Sequence, residues 1–394
     1  MEIKKGYKMT DVGVIPEDWE VKSIGEICCD TKYGVAAEAI PFDGINKYIR
    51  ITDIDDEDGH FVQGNLTSPS FFMPIHILGE NDLLIARTGA SVGKSYLYNK
   101  QDGKLIFAGF LMKFNINKAN PKLVFYKTMT SEYHDYIESE SMRSGQPGVN
   151  IQQIKDYTVS LPKAIKEQQA IADALTKVDN LIMSLSKVIE KKKLIKKGAM
   201  QKLLSGEMRL DGFEGEWIKI KLGDISSIKT GSRNVEEHSA NGKYPFFVRS
   251  KEVMKINTFS YDEEAILVPG EGGIGEIFHY VNGKFDVHQR VYKISDFNDK
   301  VNALFIYWYM IIFFGEYAKE NTVKATVDSL RLPTFTDFIC CLPPTKAEQT
   351  AIAKVLTTMD NEIEALEKER DKYKCIKQGM MQQLLTGKIR LTCQ

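Results

Sequence analysis

The stretch LPKAIKEQQAIADALTKVDNLIMSLSKVIEKKKLIKKGAMQKLLSGEMRL (residues 161–210) returns without a gap as LPPTKAEQTAIAKVLTTMDNEIEALEKERDKYKCIKQGMMQQLLTGKIRL (residues 342–391), with roughly half of the paired positions identical. A repeat this long constrains the architecture before any local reading, because the fold must accommodate one element twice. Each copy reads as a single long helix. Ile171, Leu175, Val178, Ile182, Leu185 and Ile189 follow at alternating steps of four and three. Ile352, Leu356, Met359, Ile363 and Leu366 do the same, and Tyr373, Met380 and Leu384 resume the seam. That spacing is the heptad pattern of a coiled coil. Gly206 and Gly387 stand where a left-handed cap would close each helix. A helix of about 40 residues is about 60 Å long, and two such helices laid along each other bury both seams in a stiff rod. Lys192 and Lys196 interrupt the first seam, and Arg370 and Lys377 the second. Such breaks either fix register or mark where a partner replaces the helix–helix contact.

A globular segment precedes each helix, and these segments echo each other. WEVKSIGEI from Trp19 resembles WIKIKLGDI from Trp217, and both open with strand-like alternation. The first continues through YIRIT at Tyr48 and DLLIAR at Asp82, the second through YPFFVR at Tyr244 and AILVP at Ala265. Short β-rich runs between Gly, Asn and Asp turns predict mainly β domains with some helix, notably over 124–138 and Ala303–Glu320. The predicted fold class is therefore α+β, with two mainly β domains alternating with two long helices. The boundaries read as 1–160, 161–210, 211–341 and 342–394. After Leu210 the chain runs through a short linker to Trp217; the N-terminus supplies an equivalent approach to Trp19. Joined end to end, the sequence would be a cyclic two-fold repeat.

Composition is that of an ordinary soluble protein with enough apolar content for real cores. The N-terminus has no apolar run of the signal-peptide kind. The apolar run that includes 306–314 is too short to span a bilayer and reads as a buried element. The six cysteines form no CxxC pair, so the simple inference is a reducing cytoplasm. A net charge of −1 counts against a free-standing nucleic-acid binder. The lysines at 187, 191, 192, 193, 196 and 197 make the first long helix basic, but a lysine run is ordinarily a solvated face.

Two near-motifs fail on inspection. Gly89-Ala-Ser-Val-Gly93-Lys94-Ser95 is one residue short of a phosphate-binding loop, and a strand-like Tyr-Leu-Tyr follows where a helix is needed. Gly270-Glu-Gly-Gly-Ile-Gly275 matches GxGxxG but runs into another strand. Both stretches occupy the same place in the two halves and read better as tight β-turns whose backbone can approach a large polar ligand. No catalytic constellation emerges: there is no GxSxG, no HExxH, and no metal-ligand spacing among the six histidines. No cofactor or metal is expected, and the sequence argues for a binder.

The order of domain, helix, domain, helix, with near-duplicated helices, resembles the specificity subunits of type I restriction–modification systems across essentially the whole chain. The residues that carry the resemblance are the openings GVIPEDWEVKSIGEI and FEGEWIKIKLGDI, the junctions SLPKAIKEQQAIA and CLPPTKAEQTAIA, and the terminations QKLLSGEMRL and QQLLTGKIRL. The resemblance implies two target-recognition domains, each reading one half of a split site in double-stranded DNA. The helices would pair as an antiparallel coiled coil that sets the spacing. Two adenine methyltransferase subunits, which carry the S-adenosylmethionine site, and nuclease-translocase subunits would be the partners. The chain itself would be non-catalytic and would not contact a membrane.

Residue type and loop context nominate DNA contacts. These are Arg87, Thr88, Lys94, Arg143, Gln146 and Asn150 in the first domain, and Arg233, Asn234, Arg249, Lys251, Lys324 and Thr326 in the second. Arg and Lys suit guanine edges and phosphates, Gln and Asn adenine. Apolar positions near the helix ends nominate methyltransferase contacts: Met200, Leu203, Leu204, Met381, Leu384 and Leu385, expected to be exposed. Two alternatives remain open: a coiled-coil scaffold that holds two partners without reading DNA, and a nucleotide-dependent enzyme using Gly89–Ser95.

Overall fold

A computed structural model describes residues 5–142, 147–321 and 329–391. Among them the chain forms, in order, helices α1 (Ile24–Ile27), α2 (Pro121–Lys127), α3 (Ser131–Ser141), α4 (Ile151–Asp156) and the long α5 (Ile165–Ser205). Then follow α6 (Leu222–Ile225), α7 (Ala303–Glu320), α8 (Leu332–Thr336) and the long α9 (Lys346–Leu384). No helix among the described residues is long and apolar enough to cross a membrane. The chain divides into two compact units, one of 1–185 with 369–394 and the other of 186–368. Each unit thus takes one globular segment and part of both long helices.

In the first unit a four-stranded sheet has the order Cys28–Tyr33, Leu111–Ile116, Asp82–Ala86, Ser95–Leu97, antiparallel throughout. The central strands are apolar on both faces, and Leu83, Leu84, Ile85, Met112 and Phe114 are fully buried. The sequence predicts one helix over 124–138; the structure makes two. Thr128 ends α2 and the Thr130 hydroxyl caps α3 by accepting from the Tyr133 N–H, so the local capping chemistry divides the segment. Strand Thr158–Pro162 pairs antiparallel with Trp19–Ser23 and delivers the chain to α5.

The second unit repeats this plan. Its six-stranded sheet runs Ser227–Thr230, Val291–Ser295, Tyr261–Pro269, His279–Val287, Tyr244–Phe247, Met254–Ile256, with one parallel contact between Tyr244–Phe247 and His279–Val287. Strand Ile339–Leu342 pairs antiparallel with Ile218–Lys221 before α9, as Thr158–Pro162 does before α5. Helix α7 matches the predicted span, and it buries Phe305, Ile306, Met310 and Phe314 against the sheet.

Within each unit the two long helices pair antiparallel. In the first, Asp179 binds Lys377 at 2.6 Å, and Glu167 near the start of α5 meets Arg390 beyond the end of α9. In the second, Lys192 meets Glu362 at 2.7 Å, Lys196 meets Asp360, and Arg209 meets Glu348. Positions that advance along one helix retreat along the other. Seam residues Ile171, Leu175, Ile182, Ile189, Ile352, Leu356 and Ile363 are buried. The lysines that break the seam bind across it: Lys196 also lies over the Trp308 ring and Lys377 over the Tyr126 ring.

The cyclic character of the repeat is visible inside the units. In the first, Trp19 is buried beside Gly387, where a Cβ would lie 3.2 Å from the indole. The Tyr7 hydroxyl donates to the Gly387 carbonyl, so the N-terminal segment closes on the end of α9. In the second unit Trp217 packs over Gly206 at the end of α5 in the same way. Both glycines have positive φ, as the predicted left-handed caps require.

Candidate nucleic-acid interface

Backbone hydrogen bonds build the same platform in each unit. In the first, Arg87 N–H donates to the Phe110 carbonyl (3.0 Å), Val149 N–H donates to the Arg87 carbonyl (2.8 Å), and Thr88 bridges Gly148. In the second, Gly270 N–H donates to the Arg290 carbonyl (2.8 Å), Leu330 N–H donates to the Gly270 carbonyl (2.8 Å), and Glu271 bridges Ser329. Three loops therefore meet in each case. Thr88 corresponds to Glu271, and Phe110 to Arg290, each of the latter standing just before a central strand. The glycine-rich turns lie in this frame, as expected from sequence. Gly93 packs on Ile137 of α3, and Gly275 lies against Gly315 of α7 so closely that an added Cβ would be 2.6 Å from its Cα. Neither turn leads into a helix, so neither presents the helix N-terminus that nucleotide phosphates require.

On equivalent frames the side chains differ. The first platform carries Arg87 with its guanidinium 5.1 Å from the Tyr33 ring centroid, and an exposed Phe110. The second carries Arg249 and Arg290, whose guanidiniums both reach the Glu271 carboxylate, at 3.3 and 3.2 Å. Buried His288 accepts the Arg290 N–H on Nδ1, and its backbone N–H donates to the Phe247 carbonyl. Burial, followed by the charge of Arg249, pushes the His288 imidazole down, which keeps the neutral acceptor form that this turn uses.

The nominated DNA residues divide accordingly. Arg87, Thr88 and Arg249 lie on the platforms, and Asn150 is close by as the capping residue of α4, accepting from the Gln153 N–H. Lys251 is exposed beside Arg249. Lys94 is turned inward: its Nζ donates to the Ile54 carbonyl (2.7 Å) and pairs with Asp56, so it braces a loop and is not aimed at a phosphate. Arg233 is held by buried Asp286, by Glu237 and by Thr258, while Asn234 accepts from Gln289 and starts a 3-10 turn. Arg143, Gln146, Lys324 and Thr326 lie outside the described residues. Sequence reasoning did not nominate Phe110, Glu271 or Arg290, which share these platforms. The available signal was positional: Phe110 and Arg290 each stand just ahead of an apolar run, Leu111–Ile116 and Val291–Ser295, in equivalent halves.

The expected exposure of the helix-end residues is corrected. Met200, Leu203 and Leu204 are buried in the second unit's core with Leu222 and Phe305, and Leu384 and Leu385 are buried in the first with Trp19; Met381 is half-buried. The hydrophobic closure of each unit on its helix end claims them. The large apolar side chains exposed on α5 are instead Ile165, Leu181 and Met183 in the first unit and Val188, Leu194 and Ile195 in the second.

The first unit holds two other polar features. Asp55, Asp58 and His60 bring ligand atoms within 4.8 Å of one another, but Asp55 and Asp58 accept N–H groups of Glu57, Asp58 and His60, and His60 pairs with Asp58. That is the chemistry of a tight turn. In the first unit a cleft of about 1100 Å³ lies between α3 and α9, lined by Glu132, Asp135, Asp156, Gln378 and Lys388 among others.

A sequence profile described as type I restriction modification DNA specificity domain matches residues 16–196 and 214–372. The chain belongs to this family. The two matches coincide with the two halves of the repeat. Type I restriction enzyme MjaVIII specificity subunit from Methanocaldococcus jannaschii is 27% identical over 96% of this chain and 94% of that protein. The type I restriction–modification S subunit from M. genitalium shares the fold, with a TM-score of 0.70, 17% identity and 98% of each chain covered. A chain from a structural study of type I R–M complex assembly and conformational transition matches with a TM-score of 0.53 and 16% identity, covering 95% of this chain and 99% of that one. Members of the specificity family are the non-catalytic subunits of their systems.

Proposed function

We propose that this chain reads a bipartite, asymmetric DNA site for a type I restriction–modification complex working in the cytoplasm. Each globular segment contacts one half-site, and the paired helices set the spacer between them. Two adenine methyltransferase subunits, which carry S-adenosylmethionine, assemble on the chain, and nuclease-translocase subunits join them. The observation that carries this reading is the pair of platforms with equivalent backbones and different side chains. A scaffold for two identical partners has no use for such divergence, whereas a reader of two different half-sites needs it. The near-neutral net charge is compatible with DNA binding when phosphate contacts are shared with methyltransferase partners. The exposed apolar positions Leu181, Met183, Val188, Leu194 and Ile195 are the partner-facing candidates on α5. Leu181, Val188 and Ile195 recur every seven residues on one face, and Met183 and Leu194 lie on another. Apolar side chains left exposed on an already paired helix suit a further partner.

The test is to co-express the chain with the methyltransferase encoded beside it and map methylated adenines across the host genome. Methylation at one bipartite sequence is expected. A stable complex that adds no methylation would instead support a scaffold that does not read DNA.

A further inference from the structure

The second platform concentrates positive charge in a way the fold does not require. Arg249 follows the strand Tyr244–Phe247, Arg290 precedes Val291–Ser295, and Glu271 follows Tyr261–Pro269, so three separate chain segments deliver three charged side chains to one point. Both arginine side chains are about half exposed, at 46% and 58%, while Glu271 is 22% exposed. Exposed ion pairs of this kind add little to stability, so packing alone does not account for the convergence.

The backbone under these residues is tightly determined. Arg290 N–H is held by His288 Nδ1 at 3.0 Å, and its carbonyl by Gly270. Gln289 N–H donates to the Arg233 carbonyl, and its side-chain amide to Asn234. Near Arg249, the Ser250 carbonyl is met by His279 Nε2 at 3.0 Å. Gly270 admits no larger residue without a shift, since a Cβ there would sit 2.9 Å from the Tyr292 ring. Two guanidiniums are thus fixed at their roots and tied at their tips to one carboxylate. Each guanidinium has five N–H donors, and the contact to Glu271 uses one nitrogen of each. The other donors of these half-exposed guanidiniums are left available to a ligand. Glu271 also offsets one of the two positive charges, which suits oriented hydrogen bonding to a base better than indiscriminate attraction to phosphate.

We propose that Arg249 and Arg290, aligned by Glu271, read guanine in the half-site contacted by the second unit. The donor fork matches the O6 and N7 acceptors that guanine presents in the major groove. Glu271 is a positioning residue in this scheme. At the position equivalent to Arg290 the first unit offers Phe110, 63% exposed, which has no donor and suits contact with a thymine methyl group. This inference rests on the DNA-reading function proposed above and adds which bases and which residues.

The experiment is methylation mapping with the wild-type chain and with the variants Arg290→Gln, Arg249→Gln and Glu271→Gln, each co-expressed with its methyltransferase. The expected result for each arginine variant is that one guanine of one half-site becomes degenerate, with discrimination falling about tenfold or more. The other half-site and the spacer stay unchanged, which also certifies that the variant is folded. Glu271→Gln is expected to relax the same guanine positions without affecting the other half. Full retention of every guanine preference in both arginine variants overturns the inference while leaving the function intact. Loss of methylation at all sites by a soluble, partner-bound variant also overturns it, because the residues would then serve general affinity. Absence of any bipartite motif with the wild-type chain is the separate failure that removes the underlying function.

Discussion

Glu167 and Glu348 are nearly removed from solvent, and each is gripped by both ends of an arginine fork, Arg390 in one unit and Arg209 in the other. A carboxylate so placed is sustained by its partner, and removing the partner strands a buried charge. Arg209→Met and Arg390→Met should each lower stability by roughly 3–5 kcal/mol in urea unfolding, far more than loss of an exposed pair. Lys127 is the opposite case. It is fully buried, donates to Ser160 Oγ and to the Leu385 carbonyl, and burial pushes its amine down to about 7. The unfolded chain, with an ordinary lysine, binds the proton more tightly over the interval from about pH 7 to pH 10. Stability should therefore rise with pH across that interval as far as this group is concerned. In Lys127→Met the rise should flatten, and melting temperature against pH is the readout. An unchanged slope would refute the assignment.

At the scale of elements, the exposed apolar residues of α5 give the sharpest expectation. Leu194→Glu and Ile195→Glu lie in an exposed part of a continuous helix, so helix content should hold while co-purification with the methyltransferase falls at least tenfold. Intact binding in both would place the partner elsewhere. The two long helices were readable from sequence because their signal is local, a 4-3 alternation closed by glycine. Helix α7 was equally plain in the run Ala303–Glu320. The break between α2 and α3 was not, since it depends on a threonine cap that competes with an otherwise helical pattern. The site was legible in outline only. Arg87 and Arg249 were recognised as loop cations, but Lys94 and Arg233 look the same in sequence and differ only in their distant partners, the Ile54 carbonyl and Asp286. Leu203 and Leu385 misled for a related reason: their neighbours, such as Leu222 and Trp19, are supplied by segments that no heptad pattern announces.

For the molecule as a whole, duplication explains both what is shared and what is not. Shared are the platform backbones, the seam and the capping tryptophans; different are the groups displayed, Phe110 against Arg290 and Thr88 against Glu271. If the paired helices act as the spacer, matched insertions of equal length in α5 and α9 should alter the number of bases between half-sites and leave both half-site sequences intact, as read from methylated DNA. The most direct measurement concerns the division of labour itself. Residues 1–160 would be exchanged for the corresponding segment of a relative with a different target, and adenine methylation mapped across the genome. The expected result is a change in one half-site with the other half and the spacer preserved. A change in both halves, or in neither, would contradict the reading of one half-site by each segment.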